Sequence, residues 1–126
     1  MIRGIRGATT VHENLENSIV KNTKILVEEM VHTNQVVPED IASVLISVTP
    51  DINNGFPAKA LRLIDGWTYV PVMCMKEIEV PNSLEKCIRV MMTVNTERKQ
   101  NEIIHIYQNE ARKLRPDLSQ TNKNSN

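Results

Sequence analysis

Aromatic side chains are scarce in this chain: one Trp, two Tyr and one Phe make up 3% of 126 residues. No basic-aromatic interleaving offers a surface on which bases could stack. The core must be aliphatic, with six methionines as adaptable filler. An excess of one charge sign is missing too. Fifteen Lys and Arg balance fifteen Asp and Glu, so no global basic character argues for nucleic acid. No apolar run reaches the roughly 18 residues of a membrane span. The first residues, Met1-Ile-Arg-Gly-Ile-Arg-Gly7, have neither the apolar stretch nor the cleavage pattern of a signal peptide. The expectation is a cytoplasmic protein with no membrane and no nucleic-acid partner. Cys74 and Cys87 form no CxxC motif and fit a reducing compartment without pairing. His12, His32 and His105 show no HxxxH or HExxH spacing, so nothing in them points to a metal. There is no phosphate-binding glycine loop and no GxSxG elbow.

What is present is an apolar fraction of 40% and a charged fraction of 24%, enough for the core of one domain. One run stands out: Cys87-Ile-Arg-Val-Met-Met-Thr-Val94, an apolar strand with Arg89 inside it. Arginine cannot be neutralised, so within a strand it needs a partner, water or an anionic ligand. Alternation puts Arg89 on one face with Cys87, Met91 and Thr93, and Ile88, Val90, Met92 and Val94 on the other. One face reads as core and the other as a site. The equal alternative is an edge-strand arginine whose head reaches water.

The rest of the chain alternates strands and helices. A first strand is predicted over residues 2–8. A helix is predicted over 13–32, with Leu15, Ile19, Val20, Leu26, Val27, Met30 and Val31 near one side. Thr10 or Asn14 is a candidate start cap and Asn34 a candidate end. A turn at 38–40 leads to a second strand over 43–49 and a loop over 50–55. Phe56-Pro57 opens a second helix over 58–64, closed by Gly66. A third strand is predicted over 69–75, with Pro71 marking an edge or bulge. The Arg89 strand follows, then a final extended segment over 105–114 that is equally helix-compatible at Glu110-Ala-Arg-Lys113. Residues 119–126 are polar and expected to be disordered. The order β-α-β-α-β-β-β makes an α/β or α+β domain over 1–118, a mixed β-sheet with two main helices on one face. Such a sheet leaves an apolar face partly open, which oligomerisation covers.

The candidate chemistry is cationic. Arg6 sits between Ile5 and Gly7, and Gly7 allows close approach of a ligand or another backbone. Lys59 and Arg62 share a helix face, as an anion site or as plain solvated cations. Arg115 alone reads as surface. Glu77 is either an acceptor for a ligand hydroxyl, the partner of Arg89, or a solvated carboxylate. Cys74 has no partner histidine and reads as packing, as does Cys87. Tyr107 offers a hydroxyl to a carboxylate or packs in the core. Phe56 packs on a ligand ring or, in isolation, staples the start of the second helix. Together these residues make a site with fixed positive charge, one acidic acceptor and no nucleophile. That suits binding a small polyanion, or a reaction driven by orientation and electrostatics.

Taken in order, the motifs resemble the AroH-type chorismate mutases. The matching segments are Ile2-Arg-Gly-Ile-Arg-Gly-Ala-Thr-Thr10, Thr49-Pro-Asp51, Phe56-Pro-Ala-Lys-Ala60, and Gly66-Trp67 with Tyr69-Val-Pro-Val72. Cys74-Met75 with Glu77, the Arg89 strand, Tyr107 and Leu114-Arg-Pro-Asp-Leu118 complete the set. The resemblance implies a homotrimer around a central pseudo-α/β barrel, with active sites in clefts between subunits. It implies the Claisen rearrangement of chorismate to prephenate on the way to phenylalanine and tyrosine, with no cofactor, metal or covalent intermediate. By resemblance Arg89 faces the breaking ether oxygen and helps a carboxylate. Arg6 holds a carboxylate, Tyr107 hydrogen-bonds the pyruvyl carboxylate, and Glu77 with the Cys74 region receives the ring hydroxyl. Phe56, Ala58, Lys59, Val72 and Met73 form the wall supplied by the neighbouring subunit. Arg62 and Arg115 help close the C-terminal segment, with Leu114 as an apolar contact. The rivals are a non-catalytic trimer that binds a small dicarboxylate, and a deaminase of reactive enamines on a related architecture.

Overall fold

The computed structural model describes residues 1–117. The tail expected at 119–126, and residue 118 of the expected domain, lie outside the described residues. The element order is the expected one: β1 (Ile2–Thr10), α1 (Glu16–Thr33), β2 (Ile41–Val48), α2 (Lys59–Arg62), β3 (Val72–Lys76), β4 (Cys87–Asn95) and β5 (Ile106–Tyr107). The five strands form one mixed sheet in the order β3-β2-β4-β1-β5. β4 lies between β1 and β2, antiparallel to both, while the outer pairs β2–β3 and β1–β5 are parallel. The strand carrying Arg89 is therefore the centre of the sheet, not its edge.

α1 forms because Ile19, Thr23, Leu26, Val27 and Met30 recur at helical spacing, and all five are buried. Thr23 hides its hydroxyl on the Ile19 carbonyl, 2.7 Å away. The helix lies so close to β1 that a Cβ on Gly7 would run into the Met30 sulfur. A ligand or another backbone was expected close to Gly7; a helix side chain stands there instead. Neither Thr10 nor Asn14 caps α1; its N-cap is Leu15, with no side-chain cap bond. Asn14 braces the loop ahead of α2 instead, accepting from the amides of Asn53 and Asn54 at 3.2 Å. Asn34 ends the helix as expected.

The two faces of β4 differ as alternation predicts. Ile88, Val90, Met92 and Val94 are buried with Ile5, Val44, Ile46, α1 and Leu61 of α2. Burying each such side chain stabilises by about 1.5–3 kcal/mol. Arg89 and Met91 face the other way. Cys87 is the exception, fully buried at the start of the strand. Leu45, Met73, Met75 and Met91 stay partly exposed, so the sheet carries an open apolar face.

Beyond small shifts at the ends of β1, α1 and β2, four features differ from expectation. α2 is only one turn, because the chain stays in turns up to Ala58 and leaves the helix at Leu63. Gly66 has φ +85°, but it turns the loop after the helix rather than capping it. β3 starts at Val72, since Pro71 has no N–H to give and contributes only its carbonyl, which accepts from Val44 at 2.9 Å. The last segment is a two-residue strand followed by a 3-10 turn over Asn109–Lys113, entered through Asn109 at φ +54°. Phe56 does not staple α2; it is 75% exposed.

Candidate active site

The site grows out of the middle of the sheet. In register with Arg89 stand Ser47 on β2 and Ala8 on β1, both small, which leaves lateral room for a guanidinium. Arg6 pairs with Met91, which makes it the diagonal neighbour of Arg89 on the same face. Glu77 follows β3, and its amide donates to the Val48 carbonyl at 2.8 Å. Its carboxylate Oε1 lies 2.5 Å from Arg89 Nε, with the Glu77 side chain far less exposed than that of Arg89. No well-aligned hydrogen bond from the described residues reaches that buried oxygen, so the contact with Arg89 is electrostatic. The pair answers the question posed by an arginine inside a strand: Glu77 compensates its charge at Nε, one of five N–H donors. The terminal amino groups of the fork stand outside this contact.

The corner from which both residues depart is braced by the Thr49-Pro50-Asp51 segment. The Thr49 hydroxyl donates to Asp51 Oδ1 at 2.6 Å and accepts the Cys87 amide at 2.9 Å. Asp51 Oδ2 accepts the Lys86 amide at 2.9 Å. This ties the end of β2 to the start of β4, two residues before Arg89. The sequence read this segment as a strand end and a loop, matched it to the family pattern and gave it no role; its hydroxyl-carboxylate spacing was the available signal.

Arg6, Arg89, Tyr107, Leu114 and Arg115 line one cavity of about 360 Å³, a size typical of small-ligand sites. Leu45, Ser47 and Met75 extend it along the open face; they were absent from the expected set, although alternation along β2 would have found the first two. Tyr107 is nearly buried and pairs with Ala8 across the β1–β5 seam. Arg115 donates through Nε and Nη2 to Asp117 at 3.2 and 3.0 Å.

The other expected residues are not brought into this cavity by the single chain. Lys59 bonds Glu16 of α1 at 2.7 Å, with both side chains about half exposed. Phe56 and Cys74 line a separate groove beside the loop after β2. Ala58, Arg62 and Val72 surround a depression next to Trp67. Met73 is exposed on the edge strand. All seven belong to the β3–α2 edge of the sheet, while Arg6, Tyr107, Leu114 and Arg115 belong to the β1–β5 edge.

Neither thiol is an activated nucleophile. Burial is the main cause that raises the Cys74 pKa, against smaller lowering by the Ala58 backbone and Arg62. Burial pushes the Cys87 thiol up to about 11, with Arg89 opposing. Among the described residues no cluster of three or more His, Cys, Asp or Glu could hold a metal ion. No helix among them is long and apolar enough to cross a membrane.

The fold and site together define a class: an α/β protein with a central-strand arginine in a cationic, thiol-inert cavity suited to orienting a small polyanion. The family model for chorismate mutase type I matches residues 2–118. The chain is 53% identical over 121 residues to chorismate mutase AroH of Bacillus subtilis, covering 96% of this chain and 95% of that one. It is 42% identical over 119 residues to chorismate mutase AroH of Thermus thermophilus, covering 94% and 97%. A solved chorismate mutase from Clostridium thermocellum superposes with a TM-score of 0.84 at 50% identity, covering 86% of this chain and 96% of that one. The chain belongs to the chorismate mutase type I family.

Proposed function

We propose that this chain converts chorismate to prephenate by holding the substrate in a reactive conformer and stabilising charge on the breaking ether oxygen. The observation that carries this reading is Arg89 on the open face of the central strand, paired with Glu77 and lining one cavity with Arg6 and Tyr107. Chorismate has two carboxylates, and its ether oxygen gains negative charge as the C–O bond breaks. A fixed cation at that oxygen interacts more strongly with the transition state than with the ground state, which is what lowers a barrier. Arg89 is assigned this role as a catalytic residue, with help to a carboxylate. Glu77 holds Arg89 in place and receives the ring hydroxyl beside the Cys74 region. Arg6 binds a carboxylate, and Tyr107 donates its hydroxyl to the pyruvyl carboxylate. Leu114 and Arg115 close the cavity from the C-terminal side.

The working unit of this reading is a homotrimer. Its support is the open apolar face and the separation of the expected residues onto two opposite sheet edges. A neighbouring copy supplies Phe56, Ala58, Lys59, Val72 and Met73 as the far wall, with Arg62 near the closing segment. Cytoplasmic placement and a single domain over 1–118 belong to the same reading, as does a reaction that uses no cofactor. No observation favours a non-catalytic dicarboxylate binder.

The test follows the loss of chorismate ultraviolet absorbance with purified protein, with prephenate identified as product and mass measured by light scattering. Cofactor-free turnover by a trimer is the expected result. Tight chorismate binding without turnover overturns the enzyme reading, and full turnover by a monomer overturns the shared site.

A further inference from the structure

We propose that His105 is a positioning residue for this reaction, its neutral imidazole accepting the Arg6 amide and fixing Arg6 and Tyr107 against each other across the β1–β5 seam. The Arg6 N–H donates to His105 Nδ1 at 2.9 Å. The backbone pairing of this seam begins one residue later, at Gly7 with Ile106, and continues through Ala8 with Tyr107 and the Gln108 amide on the Ala8 carbonyl. Just before it, the buried Asn34 takes both backbone groups of Ile104, accepting its N–H at 2.8 Å and donating to its carbonyl at 2.8 Å. The His105 ring therefore supplies the rung at which β5 joins β1, between the α1 end cap and the cavity. Arg6 sits at one end of that rung, and Tyr107 is two residues from the other.

The bond fixes the chemistry of the ring. An imidazole that accepts at Nδ1 must carry its proton on Nε2. Protonation puts a hydrogen on Nδ1, so the Arg6 amide then faces a donor. The charged groups that act on the ring are Arg6 from β1 and Arg115 from beyond the last 3-10 turn, both cations. Burial first, then these two guanidiniums, hold its pKa below the usual histidine range, which keeps the acceptor form at neutral pH.

The proposal rests on Arg6 and Tyr107 binding the substrate carboxylates, and the test separates the two claims. Kinetics of His105→Asn and His105→Leu are compared with the parent chain across the acid range. His105→Leu is expected to lose about tenfold in kcat/KM, the scale of one lost hydrogen bond, mostly through KM. His105→Asn keeps a side-chain acceptor that does not titrate. It should recover most of that loss and lack the acid limb that His105 protonation gives the parent. Nitrogen NMR of the parent chain adds a readout independent of activity: the Arg6 amide shift should follow the His105 titration. Parent-like kinetics for His105→Leu, or an acid limb unchanged in His105→Asn, overturns the proposal, as does an Arg6 amide blind to that titration. Should His105→Leu fail to fold, the asparagine variant and the amide titration decide. Arg6→Ala with parent kcat/KM overturns the carboxylate roles instead, and leaves the amide–imidazole bond as a structural link only.

Discussion

The two faces of β4 are built from neighbouring residues and have opposite fates. On one face Ile88, Val90, Met92 and Val94 meet α1 and Leu61 of α2 and disappear from water. On the other Arg89 and Met91 stay exposed, flanked by β1 and β2, and Arg89 pairs with Glu77 beyond β3. The helix-covered face is finished by this chain alone. The open face carries Arg6 and Arg89, and the proposed site adds to them residues that this chain holds at the far edge of the sheet. In the proposed reading stability is stored on the first face and chemistry on the second, so a substitution on one need not disturb the other.

The largest expected effect lies on the open face. Replacing Arg89 by citrulline keeps the shape and removes the charge. It should cost about 4 kcal/mol of transition-state stabilisation, roughly a thousandfold in kcat, while the melting temperature hardly moves. Steady-state kinetics and calorimetry on the same sample check this. A parent-like rate would show that shape, not charge, carries the reaction, and a collapsed melting temperature would show that the faces are coupled.

The adjacent methionines give the mirror experiment. Met92 is fully buried, and Met92→Ala should destabilise by about 3 kcal/mol through lost burial and a cavity. Met91 is 40% exposed, and Met91→Ala should cost the isolated fold about 0.5 kcal/mol or less. Denaturant titration of both variants measures the contrast. Equal costs would mean that the open face is already covered in solution, which is itself a reading of the oligomer.

The division between the faces was legible in the sequence because a strand has a side-chain period of two. The seven residues from Ile88 show it without help from the rest of the chain, while Cys87 at the strand start departs from it. α1 was equally legible, since its buried residues repeat at helical spacing over many turns. Short elements were not. The single turn of α2 and the two residues of β5 hold too few periods to set a boundary, and the start of β3 was decided by Pro71. Of the candidate site, Arg89 stood out by its strand and Arg6 by its glycine neighbour. The Glu77 contact with Arg89 was one of several readings. The His105–Arg6 and Asn34–Ile104 bonds join residues 99 and 70 positions apart, and no local pattern announces them. Phe56 and Lys59 had open readings of their own and only the role of Met73 came wholly from resemblance; none of the three lines the cavity that holds Arg89.

The two cysteines sharpen the comparison most finely, since each lies at the border of a face. Burial raises the Cys87 thiol to about 11, so the folded chain keeps its proton where an unfolded chain would release it. The resulting stability is complete below the ordinary thiol value of about 8.5 and is lost as pH rises through about 11, by about 3 kcal/mol. Thermal unfolding at stepped alkaline pH, compared with Cys87→Ala, should lose this slope in the variant. Cys74 is half-buried beside β2, with its pKa raised mainly by burial, so iodoacetamide at pH 8 should modify it slowly and Cys87 not at all. Cys74→Ser keeps a small side chain in the same place. It should change kcat/KM by less than about threefold and stability by about 0.5 kcal/mol. Loss of most activity in that variant would move the thiol from packing to chemistry, and the boundary between the two faces would then pass through Cys74 itself.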